Sequence, residues 1–466
     1  MSLPPPLQSL LDPRRYPHPA SNVELVETHI SWLLLAGAFA YKIKKPVTLP
    51  FLDYGTVERR RACCAAELRL NRRYAPDLYL DVVEFEGEPA VKMRRFDEAG
   101  RLDHVCKRGE LTPAHLTDLA RTMTAIHAAA AIAPPDSRFG TPPQVLAPAI
   151  ENFDELDKLL PGEAPRLTLL RAWTGGEFAR LADAFAARKA GGSIRECHGD
   201  LHLGNLVLES GKVTPFDCIE FNDDFRWIDV ASEIAFTYID LLDHGKPGLA
   251  CWLLNEWLVW SGDFAALAVL RFYAVYRAMV RAKVAAIRGN TAEAAGYLAM
   301  AELLAAPPPP ALSITHGLSG SGKTTASTAR LLGDQAAATI RLRSDVERKR
   351  LFGLAPDADS GGTIYGADAT ARTYARLAEL AGGILADGWP VIVDAAFLKR
   401  AERDAFRRMA AERGVPFAIL ACAAPVDELR RRLADRRGDA SEATHEILRQ
   451  QLGWLEPLAE EELPSR

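Results

Sequence analysis

The sequence has few cysteines, and they do not form the pairs that metal sites or disulfide frameworks use. Seven cysteines are scattered over 466 residues, and no Cys-x-x-Cys motif occurs. A structural zinc site and a disulfide-stabilised fold are therefore not expected. The thiols are predicted to be reduced and buried, as small apolar side chains commonly are.

An excess of basic charge and long hydrophobic runs are also missing. The formal net charge is −5, which provides no basic field to attract nucleic acid. The most apolar early stretch, residues 30–41, is too short to span a bilayer and is followed by lysines. Residues 1–20 contain prolines where a signal peptide needs an apolar core. We therefore expect a cytoplasmic protein without a nucleic-acid or membrane partner.

A glycine-rich motif in the second half of the chain has the pattern of a phosphate-binding loop. Residues 317–324 read GLSGSGKT and stand between a predicted strand, 312–315, and a predicted helix, 324–332. Such glycines let backbone N–H groups approach phosphates closely. Lys323 is predicted to act in catalysis at the outer phosphates, and Thr324 to ligate Mg²⁺. The residues predicted to bind the triphosphate are Gly317, Ser319, Gly320, Ser321, Gly322, Lys323, Thr324 and Thr325.

Two aspartates in this half follow predicted strands, where parallel sheets place their ligands. Asp394 ends the apolar run 391–393 and is predicted to ligate the metal. Asp345 follows the strand predicted at 340–342 and is a candidate general base for an acceptor hydroxyl. The alternative, equally open from the sequence, is that Ser344 or Asp345 caps a helix.

A cluster of arginines late in the chain is the third feature of this half. Arg432 and Arg436 belong to the run LRRRLADRR, on a predicted helix and the loop after it. Arginines in a phosphotransferase can close over the nucleotide and stabilise charge in the transition state. The alternative is a solvated basic face. The cluster also contains Arg430, Arg431 and Arg437. We predict that at least one arginine of the cluster is functional, with Arg432 and Arg436 as the candidates for nucleotide contact.

A second phosphate-transfer motif lies in the first half of the chain. Residues 198–205 read HGDLHLGN, so that Asp200 and Asn205 stand five apart, as in the catalytic loop of protein kinases. Asp217 follows a predicted two-strand hairpin, where a second metal-binding aspartate is expected. Asp200 is the predicted general base, and the oxygen ligands Asn205 and Asp217 suit Mg²⁺.

This motif resembles that of the aminoglycoside phosphotransferases and the related choline and homoserine kinases. The resemblance implies ATP and Mg²⁺ as cofactors, the roles just given to the motif residues, and a structural role for Asp229. It also implies that Lys42 binds the nucleotide phosphates and pairs with Glu67. Lys42 lies on an early predicted strand and Glu67 on a predicted helix. Lys44 is the alternative to Lys42, because it alternates onto the same strand face, and Glu58 is a lesser alternative to Glu67.

The second half resembles the small P-loop kinases that include the zeta toxins and the chloramphenicol phosphotransferases. The resemblance rests on SDVERKRLFG, VIVDAAFLKRAERDAF and LRRRLADRRGDASEA, and it covers nearly all of residues 312–455. It implies that Asp345 serves as base, that lid arginines lie near the nucleotide, and that the acceptor is a small molecule. The order of the two halves resembles that of bacterial fusion proteins of these two families.

The chain is predicted to consist of two kinase-type domains joined by a proline-rich linker. Residues 1–304 would form an α+β, protein-kinase-like bilobal domain with a small β-rich lobe and a larger helical lobe. Residues 305–311 contain four consecutive prolines, which cannot continue a helix and favour an extended spacer. Residues 312–466 alternate strand and helix, which predicts an α/β P-loop NTPase domain with a parallel sheet flanked by helices.

The leading hypothesis is a bifunctional ATP-dependent phosphotransferase that acts on hydroxyl groups of a small molecule, such as a sugar, an aminoglycoside-like or a nucleoside-like compound. The main alternative is one catalytic kinase domain regulated by a nucleotide-binding partner domain. A clear glycine-rich loop is missing from the first half, where residues 35–38 (LAGA) are the one short candidate, and this favours the alternative. A P-loop ATPase that couples hydrolysis to shape change is least favoured, because the second half has no long insertion for partner binding.

Overall fold

The chain divides into two compact units. One unit comprises residues 1–155 and 175–240, and the other comprises residues 156–174 and 241–466. All seven cysteines are free thiols. Five are buried, as predicted, and Cys63 and Cys422 are half-buried. Within the described residues, no helix has the length and apolar character required to cross a membrane. The structure, a computed structural model, describes all residues except 1–2, 50, 362–363, 436–440, 443 and 463–466.

The first unit begins with a five-stranded antiparallel sheet and one long helix. The sheet has the strand order β1-β2-β3-β7-β6, and it forms the small β-rich lobe that the sequence predicts. The elements in chain order are β1 (Val23–Glu27), β2 (Ser31–Ala36), β3 (Phe39–Lys44), the short hairpin strands β4 (Thr48–Leu49) and β5 (Leu52–Asp53), α1 (Val57–Asn71), β6 (Tyr79–Phe85) and β7 (Glu88–Arg94).

The alternation of β3 assigns its side chains to the two faces of this sheet. Tyr41 and Ile43 lie in a buried apolar cluster that includes residues of the N-terminal 3-10 helix Pro5–Leu11. Lys42 and Lys44 therefore project from the opposite face. That face is covered by α1, which carries the predicted partner of the lysine.

The chain that follows is mainly helical. Strands β9 and β10 form an antiparallel hairpin, and β8 pairs antiparallel with β11. Helix α3 has a capped start, with the Thr112 hydroxyl accepting from the His115 N–H group and Pro113 in the first turn. The elements are α2 (Leu102–Lys107), α3 (Pro113–Ala129), α4 (Pro142–Leu159), α5 (Ala164–Ala190), β8 (Ile194–Glu196), β9 (Leu206–Glu209), β10 (Lys212–Pro215), α6 (Asp223–Arg226), β11 (Trp227–Asp229) and α7 (Val230–Asp243).

The second unit contains a four-stranded parallel sheet in the order β13-β14-β12-β15. Helices flank it, which confirms the predicted P-loop architecture. The elements are α8 (Pro247–Ser261), α9 (Leu267–Ile287), α10 (Thr291–Ala305), β12 (Leu312–His316), α11 (Lys323–Leu332), β13 (Ile340–Arg343), α12 (Ser344–Leu351), α13 (Ala367–Ala386), β14 (Val391–Asp394), α14 (Arg400–Glu412), β15 (Phe417–Ala421), α15 (Val426–Asp435) and α16 (His445–Trp454).

Helix α8 packs against the edge of this parallel sheet. The Asn255 side chain donates to the Thr339 carbonyl at 2.8 Å and accepts from the Arg341 N–H group at 2.6 Å. The Asn255 side chain thereby forms hydrogen bonds with backbone groups on the outer side of edge strand β13, where no further strand pairs with them. The compact division therefore differs from the domain boundary predicted at residues 305–311, because contacts of this kind join the preceding helices to the sheet.

Candidate active sites

The first candidate site is built on the loop between β8 and β9. The Asn205 amide N–H group donates to the Asp200 carbonyl at 3.0 Å and to Asp200 Oδ2 at 3.1 Å. The His202 Nε2 atom lies 3.5 Å from the same carboxylate oxygen. The predicted general base and the predicted metal ligand of the HGDLHLGN motif are therefore held side by side.

Glu233, on α7, holds this loop by its backbone. One carboxylate oxygen accepts from the N–H groups of His198, at 2.5 Å, and Gly199, at 2.9 Å, and the other lies 2.5 Å from His127 Nε2. Burial alone raises the pKa of Glu233, but the hydrogen bond with His127 and the attraction to it outweigh burial and lower that pKa to about 2. Sequence reasoning missed Glu233, whose one signal is an acidic residue four positions after Asp229 in an apolar helix.

Asp217, the second predicted metal ligand, meets Lys42 and Glu67. The Lys42 ammonium donates to Asp217 Oδ1 at 2.5 Å and to Glu67 Oε1 at 2.9 Å. Asp217 has a φ of +63°, an uncommon backbone conformation for a residue other than glycine. Its N–H group donates to the Tyr79 hydroxyl at 3.0 Å. A residue with an uncommon backbone conformation whose carboxylate contacts a lysine is typical of a functional position.

The structure distinguishes between the sequence alternatives for this lysine and its partner. Lys42 contacts Asp217, whereas Lys44 is buried and donates to Glu67 Oε2 at 2.6 Å. Glu58 lies in the exposed first turn of α1. Lys42 and Glu67 are therefore the pair that stands next to the predicted metal ligand.

Asp229 has the structural role that the resemblance implies. Its two carboxylate oxygens accept from the Arg188 guanidinium at 2.6 and 2.7 Å, and Oδ1 also accepts from the Ala231 N–H group at 2.8 Å. Both charged side chains are buried. Because each charge has its partner in a two-pronged geometry, the pair fixes the start of α7 to α5.

Gly37, in the short candidate for a glycine-rich loop, is explained by packing. Gly37 and Ala38 form the turn between β2 and β3, and residues 35 and 36 are the end of β2. A Cβ at Gly37 would lie 2.4 Å from the carbonyl oxygen of Pro19, and its φ of +56° also favours glycine. The turn between β1 and β2, residues 28–30, contains no glycine. Neither of these two turns therefore provides the glycine-rich loop of a protein kinase.

The second candidate site lies around the loop between β12 and α11. This loop lines a cavity of about 1210 Å³. Gly317, Gly320 and Gly322 all have positive φ, and a Cβ at Gly317 would lie 2.2 Å from the Cys422 carbonyl oxygen. Glycine is therefore required for the loop to curve around a phosphate at this closeness to β15.

The polar groups of this loop fit a bound phosphate chain. The Lys323 ammonium donates to the carbonyls of Gly317 and Leu318 at 2.9 and 2.8 Å. The Ser321 hydroxyl is buried and has no hydrogen-bond partner among the described residues. A buried hydroxyl without a partner is costly, and a phosphate oxygen would satisfy it. The other predicted nucleotide-binding residues that line the cavity are Ser319, Gly320, Gly322, Thr324 and Thr325.

The predicted metal ligands of this half, Thr324 and Asp394, line the same cavity. Asp394 is buried at the C-terminal end of β14, and its Oδ2 atom accepts from the Ser327 hydroxyl at 3.0 Å. Hydroxyl and carboxylate oxygens beside a phosphate-binding loop are the ligands that Mg²⁺ prefers. The residues present therefore fit a magnesium-bound nucleotide.

Asp345 also lines this cavity, from the first turn of α12. The residue before the first turn is Arg343, and no side chain caps the helix. The alternative that Ser344 or Asp345 caps the helix is therefore wrong, because a capping side chain must come from the residue before the first turn. Asp345 instead faces the space in which the triphosphate would lie.

Arg432, on α15, reaches the phosphate-binding loop. Its Nη1 atom donates to the Gly320 carbonyl at 3.1 Å, and its Nε atom donates to Glu428 at 2.7 Å. The structure thus places this arginine beside the loop, and its contact with the nucleotide stays a prediction. Arg436, the other predicted arginine, lies outside the described residues.

Gln451, on α16, makes a second contact with the loop. The Ser319 N–H group donates to Gln451 Oε1 at 2.7 Å. Backbone N–H groups of such loops are the donors that phosphates use, so the glutamine occupies one of them. Sequence reasoning missed Gln451, because the two residues lie 132 positions apart and a single glutamine forms no motif.

Comparison with known protein families agrees with the two sites. Residues 74–279 match the model of the phosphotransferase enzyme family, and residues 312–458 match the model of an AAA domain. The first match contains the Asp200 loop and Asp217, and the second contains the glycine-rich loop, Asp345 and Asp394.

Similar solved structures include the GDP complex of wild-type aminoglycoside 2′-phosphotransferase-IIIa. That chain is 12% identical, with a TM-score of 0.41 over 64% of this chain and 97% of the other. A choline/ethanolamine kinase family protein from Mesorhizobium loti is 15% identical, with a TM-score of 0.40 over 63% of this chain and 90% of the other.

Relatives that match both halves together include a mycobacterial protein. An uncharacterized protein of Mycobacterium tuberculosis is 30% identical over 454 residues, which cover 92% of this chain and 90% of the relative. Because that similarity extends over nearly all of both chains, the protein belongs to the family of this mycobacterial relative, and it is a phosphate-transferring enzyme in which a domain of the phosphotransferase enzyme family precedes a P-loop AAA domain.

Proposed function

We propose that the protein is a bifunctional ATP-dependent phosphotransferase that acts on hydroxyl groups of small molecules. One observation supports this most directly: each unit contains a lysine, a candidate base and oxygen ligands for a metal, and in the first unit the Phe216 N–H group, next to Asp217, donates to the Asn205 carbonyl at 3.0 Å. In the second unit, Lys323, Asp345 and Asp394 line one cavity. In the first, Asp217 contacts Lys42, and Asn205 contacts Asp200.

Each residue of the first site would have its own role in phosphoryl transfer. Mg-ATP, when bound, supplies the γ-phosphoryl group and a metal charge that neutralises the phosphates. Asn205 and Asp217 would hold that metal, and Lys42 would bind the phosphates. Asp200 would orient the acceptor hydroxyl and accept its proton, as the equivalent carboxylate of a protein kinase does.

The second site uses a different arrangement for the same chemistry. The backbone N–H groups of the loop and Lys323 would bind the triphosphate, while Thr324 and Asp394 would hold the metal. Asp345 would accept the proton of the acceptor hydroxyl. Arg432, beside the Gly320 carbonyl, would stabilise the charge that develops on the transferred group.

The cavity of the second unit supports a small acceptor. Its volume of about 1210 Å³ exceeds the upper range of an ordinary ligand pocket, ~1,000 Å³, which leaves room for an acceptor beside the nucleotide. Tyr365, Thr370 and Glu402 are among its lining residues. Such hydrogen-bonding side chains suit a polyhydroxylated compound, and we propose a sugar-, aminoglycoside- or nucleoside-like acceptor.

A second candidate function is a single catalytic domain that its neighbour regulates. The hairpin turns of the first unit contain no glycine-rich loop, and this observation favours a nucleotide-binding rather than a catalytic role for that unit. The two candidates differ in whether Asp200 is needed for any product.

Labelled ATP and a metabolite extract test the proposal, with wild type, Asp200→Ala and Lys323→Ala compared. We expect each substitution to abolish a different phosphorylated product, because each removes one site. Asp183→Ala and Arg408→Ala, at exposed positions of α5 and α14, should change neither product. If Asp200→Ala leaves every product unchanged while Lys323→Ala removes them all, the first unit is not a catalyst and the regulated form is correct.

A further inference from the structure

The first site contains a second lysine on the face of β3 that carries Lys42. Lys44 is almost completely buried, with 1% of its side chain exposed. Its ammonium donates to Glu67 Oε2 at 2.6 Å, to the Tyr54 hydroxyl at 3.3 Å and to the Glu220 carboxylate. A lysine buried this deeply requires such partners, because an unpaired charge in the interior is strongly unfavourable.

Glu67 is divided between the two lysines. Its Oε1 atom accepts from Lys42 at 2.9 Å and its Oε2 atom from Lys44 at 2.6 Å, and its side chain is fully buried. An ammonium group has three donors, and Lys42 directs one to Glu67 and another to Asp217. Lys44 thus satisfies one of the two carboxylate oxygens that would otherwise both compete for Lys42.

The buried charges balance without the metal-binding aspartate. Lys42 and Lys44 are two cations, and Glu67 and Glu220 are two anions. Glu67 contacts both lysines, and Glu220 contacts Lys44. Asp217 adds a further carboxylate, but 43% of its side chain is exposed. Its charge is therefore not needed to neutralise the buried group and can serve a metal ion.

We propose that Lys44 is a positioning residue of the first site: by holding Glu67 it keeps Lys42 available for the phosphates of Mg-ATP. This role rests on the proposed function of that site. Lys44 itself does not touch the nucleotide. Without Lys44, both oxygens of Glu67 would accept hydrogen bonds from Lys42. The phosphates would then have to compete with a buried carboxylate for that lysine.

The test uses the full chain carrying Lys323→Ala, which removes nucleotide binding at the P-loop. Mg-ATP binding is measured by titration calorimetry, and stability is measured as the thermal midpoint Tm. Lys44→Met removes the second lysine. Lys44→Met combined with Glu220→Gln removes the lysine and also the charge of Glu220. The Glu220 carboxylate is then not left buried without a cation.

Lys45→Met is the matched control. Lys45 is also a buried lysine, directly after β3, and it pairs with Glu27 at 2.6 Å. It lies 5.5 Å from the centre of the Trp32 ring, and Trp32 belongs to the apolar cluster on the opposite face of the sheet. Its loss should lower Tm and change the Kd for Mg-ATP less than twofold.

We expect Lys44→Met to weaken Mg-ATP binding at least tenfold. Compared with Lys44→Met, the double variant should recover much of the lost Tm. It should not recover the affinity for Mg-ATP, because both oxygens of Glu67 would still accept from Lys42. If the double variant binds Mg-ATP as tightly as the background, Lys44 only neutralises Glu220 and the positioning role is wrong. Unchanged affinity in Lys44→Met overturns it as well. Failure of the Lys323→Ala background itself to bind Mg-ATP would overturn both this role and the function proposed for the first site.

Discussion

Glu233 illustrates how a single residue outside the recognised motifs shapes the first site. Its carboxylate accepts from two consecutive N–H groups, those of His198 and Gly199, and contacts His127. These N–H groups belong to the loop that places Asp200. A buried polar group left without its partner costs about 1–3 kcal/mol, so this carboxylate, in addition to the motif itself, determines the conformation of the loop.

The pH dependence of stability tests this role. The pKa of Glu233 is about 2 in the folded protein, below the ~4.3 of an unfolded glutamate. A lowered folded pKa adds stability that is fully present above the unfolded pKa and is lost as the pH falls toward the folded one. Wild type should therefore exceed Glu233→Gln by ~2–3 kcal/mol in free energy of unfolding at pH 7. In urea titrations this difference should shrink steadily below about pH 4.3.

Glu151→Gln is the control for this measurement, because Glu151 is an exposed glutamate of α4 in the same unit. Its free energy of unfolding should follow that of wild type at every pH. A difference between wild type and Glu233→Gln that stays constant from pH 7 to pH 3 would show that the charge of Glu233 does not stabilise the fold.

Elements that are continuous in sequence were predictable. The strand predicted at 312–315 is observed at Leu312–His316, and the helix predicted at 324–332 is observed at Lys323–Leu332. Strand, loop and helix follow one another directly, so local pattern and glycine spacing are sufficient. The contacts of Glu233 and Gln451 were not predictable, because each joins elements far apart in the chain and depends on how those elements pack.

The positions of Lys42 and Lys44 were predictable from the sequence only in part. Strand alternation correctly predicts that both lie on one face, and both contact Glu67. Alternation does not determine which of them stands next to Asp217, because that depends on where the β9–β10 hairpin ends relative to the sheet. The capping alternative for Asp345 failed for a related reason: a shift of two residues in the start of a helix moves a side chain from its cap to its first turn.

Helix α16 gives a prediction at the scale of elements. Gln451 occupies the Ser319 N–H group, and the nucleotide must displace it if that donor is to bind a phosphate. A hydrogen bond of this kind is worth about 1 kcal/mol, or roughly fivefold in affinity. Gln451→Ala should therefore tighten Mg-ATP binding at the P-loop by about that factor. Calorimetric titration of the full chain measures it, with the P-loop site identified as the one lost in Lys323→Ala.

Gln335→Ala is the control for this experiment, since Gln335 is exposed after α11 and does not line the cavity. It should leave the affinity unchanged. Weaker binding in Gln451→Ala would mean that the glutamine helps to hold the nucleotide, and the interpretation that Gln451 competes with a phosphate for the Ser319 N–H group would be wrong.

For the molecule as a whole, sequence families and compact units divide the chain differently. The phosphotransferase match extends to residue 279, whereas residues from 241 onward belong to the unit with the parallel sheet. Composition identifies the four prolines of the linker but not which helices pack on the sheet. The Trp389 indole N–H donates to the Leu267 carbonyl at 3.0 Å, and the Arg271 guanidinium lies 3.8 Å from the centre of the Trp389 ring.

Gly248 offers a direct test that the helices before the linker are part of the P-loop unit. A Cβ at Gly248, in α8, would lie 1.9 Å from the carbonyl oxygen of Leu332, a backbone atom that cannot rotate away. Gly248→Ala should push α8 off α11 and lower stability by ~1–3 kcal/mol, read as a fall in Tm. Gly296→Ala, in α10, meets nothing within 4 Å and should hold or raise Tm, because alanine favours a helix. An unchanged Tm in Gly248→Ala would show that the two helices are not in contact, whereas equal losses in both variants would point to helix propensity rather than packing.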